Sequence, residues 1–325
     1  MLATRRRACL VALFLAVSAA SPVAAQQPWP SQPVKIVVPF PPGGATDAAA
    51  RVYAQRLGET LGQSVVVENK SGAGGEIGAE YVARARPDGY TLLMGALGSL
   101  AIHAALPDKP NYDLGTAFVG VSLATTMPMA IAVNEKTGID SVQALLEQAR
   151  ARPGQMTIGS GGQGTSQHMA GELFQTLTGV RLIHVPYRGS GPAIADLLGG
   201  QIDMVIDTMA ALMGQADSKR IRILAVTTDK RAEGLPDVPT IAEAGVQGYS
   251  VATTYALLAP AGTPADVVDR LSQAMREAAS QPQVKAAAAR LGTEAVATTP
   301  AETDRIVREE ISKWAQVVHA SANRR

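Results

Sequence analysis

VKIVVPFPPGGATDAAARVYAQRLGETLG, residues 34–62, reads as a buried strand, a glycine turn and an amphipathic helix. Val34–Val38 is an apolar run of strand length, and Ala50, Tyr53, Ala54, Leu57 and Leu61 follow at helical spacing until Gly62 stops the helix. Outward from there the alternation continues. Val65–Glu68 is a second strand, Ile77–Ala85 a second helix and Tyr90–Met94 a third strand. Strand-helix runs with short connections build parallel sheets, so the fold class is α/β.

A second alternation begins after Thr125-Thr126-Met127-Pro128. Its strands are Met129–Val133, Met156–Gly159, Leu182–Pro186, Ile202–Asp207 and Ile221–Thr227. Between them lie a helix introduced by Asp140 and Gln143 in capping-box spacing, a helix over Gln167–Thr178 with Met169, Leu173, Phe174 and Leu177 on one face, and a short helix Ala193–Leu198. Asp237–Gly248, rich in Pro and Gly, is a return connection to a strand at Thr254–Ala259. From Pro264 onward two or three Ala-rich helices surround a short strand near Glu294–Ala297.

The N-terminus carries Arg5-Arg6-Arg7, an apolar run over Ala8–Ala20 and the small residues Val23-Ala24-Ala25, the pattern of a secretory signal peptide cleaved near Ala25. The run is about 13 residues, short of the roughly 18 that a membrane span needs. A soluble, exported protein without membrane insertion after cleavage is expected. Cys9, the single cysteine, leaves with the peptide, so neither disulfides nor thiolate metal sites are expected afterwards. Loss of the three arginines takes the formal charge from +1 to −2. No strong field then remains to attract nucleic acid, and 4% aromatic content offers few platforms for bases.

Three glycine turns each lead from a strand into a helix. The first is Pro39-Phe40-Pro41-Pro42-Gly43-Gly44-Ala45-Thr46-Asp47. Unpaired amides at a helix N-terminus carry partial positive charge and bind anions without Lys or Arg. Ordinary turn chemistry with Asp47 as a cap explains one such loop equally well. The second, Gly159-Ser160-Gly161-Gly162-Gln163-Gly164-Thr165-Ser166, adds hydroxyls as directional donors. The third, Tyr187-Arg188-Gly189-Ser190-Gly191-Pro192, places Pro192 at the helix's first position. Ligands of open α/β sheets bind beyond the carboxyl ends of the strands, where all three turns fall, and two facing units define a cleft.

Other chemistries lack their motifs. Gly72-Ala73-Gly74-Gly75 has Ile77 where a dinucleotide site needs its last glycine, and neither a Gly-Lys-Ser/Thr nor a Gly-x-Ser-x-Gly sequence occurs. His103, His168, His184 and His319 are scattered without metal spacing, so no cofactor or metal is expected. His168, just after the second turn, is placed to orient it. Asp207 ends a strand on the cleft side and meets either a ligand amine or hydroxyl or the next helix as a cap. Arg188 either neutralises an anion or is solvated, and Tyr255 either lines the cleft or packs beside it. A hydrolase using Ser, His184 and Asp207 needs a nucleophile beside a base, which no motif supplies.

The segments Pro39–Gly44 with Asp47, Val66–Asn69 with Gly72–Gly75, and Pro87-Asp88-Gly89-Tyr90-Thr91-Leu92-Leu93 resemble those of the Bug family. So do Gly171–Phe174, His184–Gly189, Leu198–Asp203 and Ala259–Pro264, and the similarity spans nearly the whole chain after the leader. Bug proteins are the periplasmic binding proteins of tripartite tricarboxylate transporters. The resemblance implies a two-domain Venus-flytrap fold of type II with two crossover strands, near Met127-Pro128 and Val251–Thr254. Residues 26–127 and 252–325 form domain 1, and 128–251 domain 2. It implies a non-enzymatic, monomeric receptor that delivers a small organic carboxylate to integral-membrane subunits. A sensor feeding a signalling partner shares the same fold and cleft.

Carried over position by position, the carboxylate cradle uses Phe40, Gly44, Thr46 and Asp47 with Ser160, Gly164, Thr165 and Ser166, while Gly189 and Ser190 close the far wall. The distal end of the ligand faces Ala96–Leu100, which includes Ser99, together with Asp207 and Thr254-Tyr255. Ser99-Leu100 stands where the family usually has Thr-His, and Thr254 where tryptophan is common. A small residue at 254 enlarges the pocket, so Thr254→Trp is expected to weaken the natural ligand. Calorimetric affinity equal to wild type would refute that reading.

Overall fold

The computed structural model describes residues 29–107, 110–216, 218–232 and 235–322. The expected signal segment and Cys9 lie outside these residues. Along the chain come β1 (Val34–Val38), α1 (Ala45–Leu61), β2 (Val65–Asn69), α2 (Glu76–Ala83), β3 (Thr91–Ala96), α3 (Leu97–Ala105) and β4 (Phe118–Asn134). Next are α4 (Val142–Ala151), β5 (Thr157–Ser160), α5 (Ser166–Thr178), β6 (Ile183–Pro186), α6 (Ser190–Gly199), β7 (Met204–Thr208), α7 (Met209–Ala216) and β8 (Ile221–Val226). The last are β9 (Ala252–Pro260), α8 (Ala265–Ser280), α9 (Pro282–Arg290), β10 (Glu294–Ala295) and α10 (Pro300–Ala322). None of the described helices is long and apolar enough to cross a membrane.

All the strands belong to one curled sheet in the order β2-β1-β3-β9-β4-β7-β5-β6, with β8 and β10 also paired to β4. The early elements form where apolar periodicity places them. β1 is buried and pairs in parallel with β2 and β3. The expected apolar face of α1 is buried, and Gly62, at φ 69°, closes the helix by donating its N–H to Gly58 O.

β4 is much longer than the expected Met129–Val133. Its first half pairs with β9 and β10, its second with β7 and β8. The change falls between Pro128, opposite Ala252, and Met129, opposite Thr208. Thr125, Thr126 and Pro128 make this stretch look like a connection, because proline removes a ladder donor. Here proline stands where the ladder changes partner. The return passage is tied to the same place. Thr227 N donates to Met129 O at 2.9 Å, and Val251 N donates to Thr227 O at 2.8 Å. The buried Thr227 hydroxyl accepts the Met129 N–H at 3.1 Å and lies 2.6 Å from Val251 O.

These exchanges divide the sheet into two lobes. One holds β1–β3, β9, β10 and the first half of β4, and the other holds the second half of β4 with β5–β8. Along β4 the strand period of two sorts residues cleanly. Met129, Ile131 and Val133 join the large core with Leu145, Ile158 and Phe174, while Ala130 and Ala132 face Ile194, Leu197 and Leu212. The large core crosses between lobes, because α10 packs on both α3 and α5 and inserts Trp314.

Three local expectations are corrected. The N-cap of α4 is Ser141, whose hydroxyl accepts the Ala144 N–H at 3.2 Å, while Gln143 reaches across to Ala244 O. Leu177 is 43% exposed, because α5 packs on β5 and β7 and its last turn, closed by Gly179, extends past them. Pro192 is the third residue of α6, since Gly189 at φ 111° serves as cap and lets the helix begin at Ser190.

Trp314 is 1% exposed and donates its indole N–H to Glu310 Oε2 at 2.7 Å. Trp314→Ala is expected to destabilise the protein by about 3–5 kcal/mol, by removing core contacts and leaving a cavity. Urea unfolding should show the loss as a lowered midpoint, and an unchanged midpoint would contradict the shared core.

Candidate functional site

The first glycine turn is held by an acid that does not act as its N-cap. Gly44 caps α1, with no side chain bonded there, and Asp47 lies in the first turn. The buried Asp47 carboxylate reaches back to the Gly43 N–H at 3.0 Å and also receives Asn69 Nδ2 and Arg51 Nε, each at 2.9 Å. Asn69 also donates to Phe40 O at 3.0 Å. The turn is thus clamped from behind while Gly44 stays exposed. The first-turn amides of α1 belong to the donors that a helix cannot satisfy internally, and they carry the positive end of its dipole.

The Gly72–Gly75 stretch braces this turn and holds no nucleotide signature. A Cβ on Gly75 would stand 3.2 Å from the Phe40 ring, and one on Gly74, at φ 65°, would stand 1.8 Å from the His103 ring. His103 in turn meets Glu76 Oε1 at 3.1 Å. Gly74 O accepts the Ser99 hydroxyl at 3.0 Å, which links Ser99 to Phe40 through two glycines. Tyr255, on β9, is buried and bonded to Thr46, so both residues lie under the first turn.

The second and third turns form a unit on the other lobe. Tyr187 N donates to Ser160 O and Gly189 N to Gly161 O, and a Cβ on Gly161 would lie 3.5 Å from the Gly189 backbone. His168 orients the second turn as expected, since its Nδ1 accepts the Gly164 N–H at 3.2 Å. Its ring stacks on His184 with centroids 4.0 Å apart. His184 Nε2 lies 2.7 Å from Ser160 Oγ, which also accepts the Gly162 N–H. Thr165 caps α5 by accepting the His168 N–H and donates to Gly162 O. The hydroxyls of Ser160 and Thr165 therefore have partners within the loop. Ser166 Oγ has none among the described residues.

Ser160 and His184 make the serine-histidine pair that no motif announced. The setting is not that of a nucleophile. Ser160 is 1% exposed, and Asp207, the third member of the hydrolase reading, bonds Ser190 and Gln167 instead. Ser190 donates to Asp207 Oδ1 at 2.8 Å, Gln167 Nε2 lies 3.3 Å from the same oxygen, and Thr208 N donates to it at 2.7 Å. Arg188 is exposed. The two groups of residues meet at Gly98, where a Cβ would lie 3.8 Å from Ser166 Oγ and 3.7 Å from the Trp314 indole nitrogen. A continuous path of contacts thus runs from Phe40 through Gly75, Gly74, Ser99 and Gly98 to Ser166.

Asn69 and Gln167 were missed as site residues. Asn69 terminates a strand and Gln167 sits one residue inside a helix, ordinary positions for polar side chains. Their importance comes from the acids they meet across the fold.

The bond to Arg51, helped by the Gly43 amide and Asn69, holds the Asp47 carboxyl at about 2 against the cost of its burial. A carboxyl depressed in the folded state stabilises the protein above its unfolded pKa, near 4, and that stabilisation is lost as pH falls towards 2. Asp47→Asn is expected to cost about 1–3 kcal/mol at pH 7. The deficit should shrink steadily between pH 4 and 2 in urea titrations, and a pH-independent deficit would rule out the clamp as described.

The sequence model for the receptors of the tripartite tricarboxylate transporter family matches residues 49–322. Protein BugT of Bordetella pertussis is 38% identical over 315 residues, covering 96% of each chain. MatC from Rhodopseudomonas palustris, with bound malate, is 32% identical with a TM-score of 0.71, covering 89% of this chain and 100% of that one. An R. palustris protein with adipate is 37% identical with a TM-score of 0.74, covering 90% and 98%. An uncapped glycine turn, a braced partner loop on a second lobe and end-to-end similarity in sequence and fold agree, and the chain belongs to the tripartite tricarboxylate transporter family receptors, among which are the Bug proteins.

Proposed function

We propose that this receptor captures a small organic carboxylate between its lobes in the periplasm and presents it, chemically unchanged, to integral-membrane transporter subunits. The observation that carries this reading is the uncapped N-terminus of α1, held open by the Asp47 clamp with Gly44 exposed. Backbone amides in that arrangement bind an anion without a cationic side chain, and Arg51, on the same helix, is already engaged with Asp47. Malate and adipate in similar proteins support a dicarboxylate or a related acid. The lobes in this reading are residues 26–127 with 252–325, and residues 128–251. Ser166 lies against Gly98 of the first lobe, so that it and the third turn face a carboxylate seated at Gly44 and Thr46. The leader up to Ala25 directs export. Transfer of an unaltered ligand accords with a Ser160 that is buried and bonded to its own loop.

A ligand that binds only the folded state raises stability by mass action, about 2.7 kcal/mol at a hundred times its Kd. Thermal melts with malate, adipate and related acids should therefore move upward for at least one of them. Ala45→Asp is the sharper test. A carboxylate in the first turn of α1 favours the helix yet occupies the anion position, so melting without ligand should hold while affinity falls at least tenfold. Undiminished affinity would place the carboxylate elsewhere.

A further inference from the structure

On the second lobe one buried acceptor lacks a donor among the described residues, and it belongs to Asp207. This side chain is fully buried at the carboxyl end of β7. Its Oδ1 receives the Thr208 N–H, the Ser190 hydroxyl and the Gln167 amide, so the carboxylate plane is pinned from three directions. Its Oδ2 is equally buried and has no partner among the described residues. A desolvated carboxylate oxygen without a donor is costly, and such an orphan calls for a group that satisfies it.

Ser190 cannot be that group. Its single proton goes to Asp207, because a carboxylate only accepts, and its oxygen then accepts from Gln167 Nε2 at 3.2 Å. Ser190 is therefore not a donor to a ligand carboxylate. At the corner made by β7, the start of α6 and the first turn of α5, Asp207 Oδ2 is an acceptor in want of a donor, beside a start of α6 that is itself uncapped. The N-terminus of α1 presents donors. A second carboxylate placed against Asp207 Oδ2 would meet like charge.

We propose that Asp207 Oδ2 accepts a hydrogen bond from a hydroxyl or ammonium group of the ligand, so that this receptor selects hydroxy- or amino-substituted carboxylic acids over the plain acids. The inference rests on the carboxylate-binding reading above. Asp207 is then a specificity-determining residue, and Gln167 and Ser190 position it.

Calorimetric titration of the mature protein with matched sets tests this. Succinate, L-malate and L-aspartate form one set, and adipate, 2-hydroxyadipate and 2-aminoadipate the other. In at least one set the substituted acid is expected to bind at least tenfold tighter than the plain one. Whether the hydroxyl or the ammonium member wins identifies the donor. Asp207→Asn puts an N–H where Oδ2 stood, and the ratio should then collapse to within twofold while the plain acid keeps its affinity. Gln167→Ala leaves the acid in place but unpins it, and should lower the ratio even if Asp207→Asn does not fold. Plain acids binding as tightly as their derivatives would overturn the inference and leave the carboxylate reading standing, and so would a preference that survives in folded Asp207→Asn. If no acid of either set binds, both readings fall.

Discussion

Both passages of the chain between the lobes are tied to Thr227. Its backbone N–H holds Met129 O, its carbonyl holds the Val251 N–H, and its buried hydroxyl sits between the two. A two-lobed protein must let its halves move without letting their strands unpair. A single buried residue bonded to both crossings satisfies that constraint, because rotation about backbone torsions on either side leaves these bonds intact. The remaining architecture follows. β4 can serve two half-sheets because its partners change at one point, and that point is where proline removes a donor. The glycine turns follow β1, β5 and β6, which join β4 through β3 and β9 on one side and through β7 on the other.

The site itself obeys a second rule, that an anion cradle made of backbone needs rigid backing. Glycine is required at the front, where the chain comes close to a ligand, but it gives no stiffness. Each turn therefore has a polar side chain behind it: Asp47 behind the first, the stacked His168 and His184 with Ser160 behind the second, and Asp207 behind the third. Many of the hydroxyls and acids that look like ligand contacts are braces. In the proposed reading, contacts with ligand fall instead to main-chain amides and to the few groups left without partners.

Periodicity made the α/β class, most of the element order and the glycine turns legible in the sequence, because apolar spacing and glycine stops are local signals, while the short helices α3 and α7 went unread. The first half of β4 was not legible. Its threonines and proline look like a loop until β9, more than a hundred residues away, supplies a ladder. The roles of Asp47 and Asp207 were only half legible. Either acid passes for a cap, and the difference is made by Asn69, Arg51, Ser190 and Gln167 arriving from other elements. The serine-histidine pair shows the converse, since a constellation absent as a motif is present in space and works as a fastener.

Two groups of the folded chain are left for a ligand in the proposed reading, the exposed, uncapped start of α1 and the buried, orphaned oxygen of Asp207, of which the second is unfavourable as it stands. Local features of this kind are tolerated when the rest of the fold over-determines them, and here the shared core through Trp314 and the Thr227 tie do so. They also have opposite polarity and stand on opposite lobes. The ligand proposed above offers an acceptor to one and a donor to the other. In the proposed reading affinity then depends on both lobes at once, because each supplies one of the groups that the ligand satisfies.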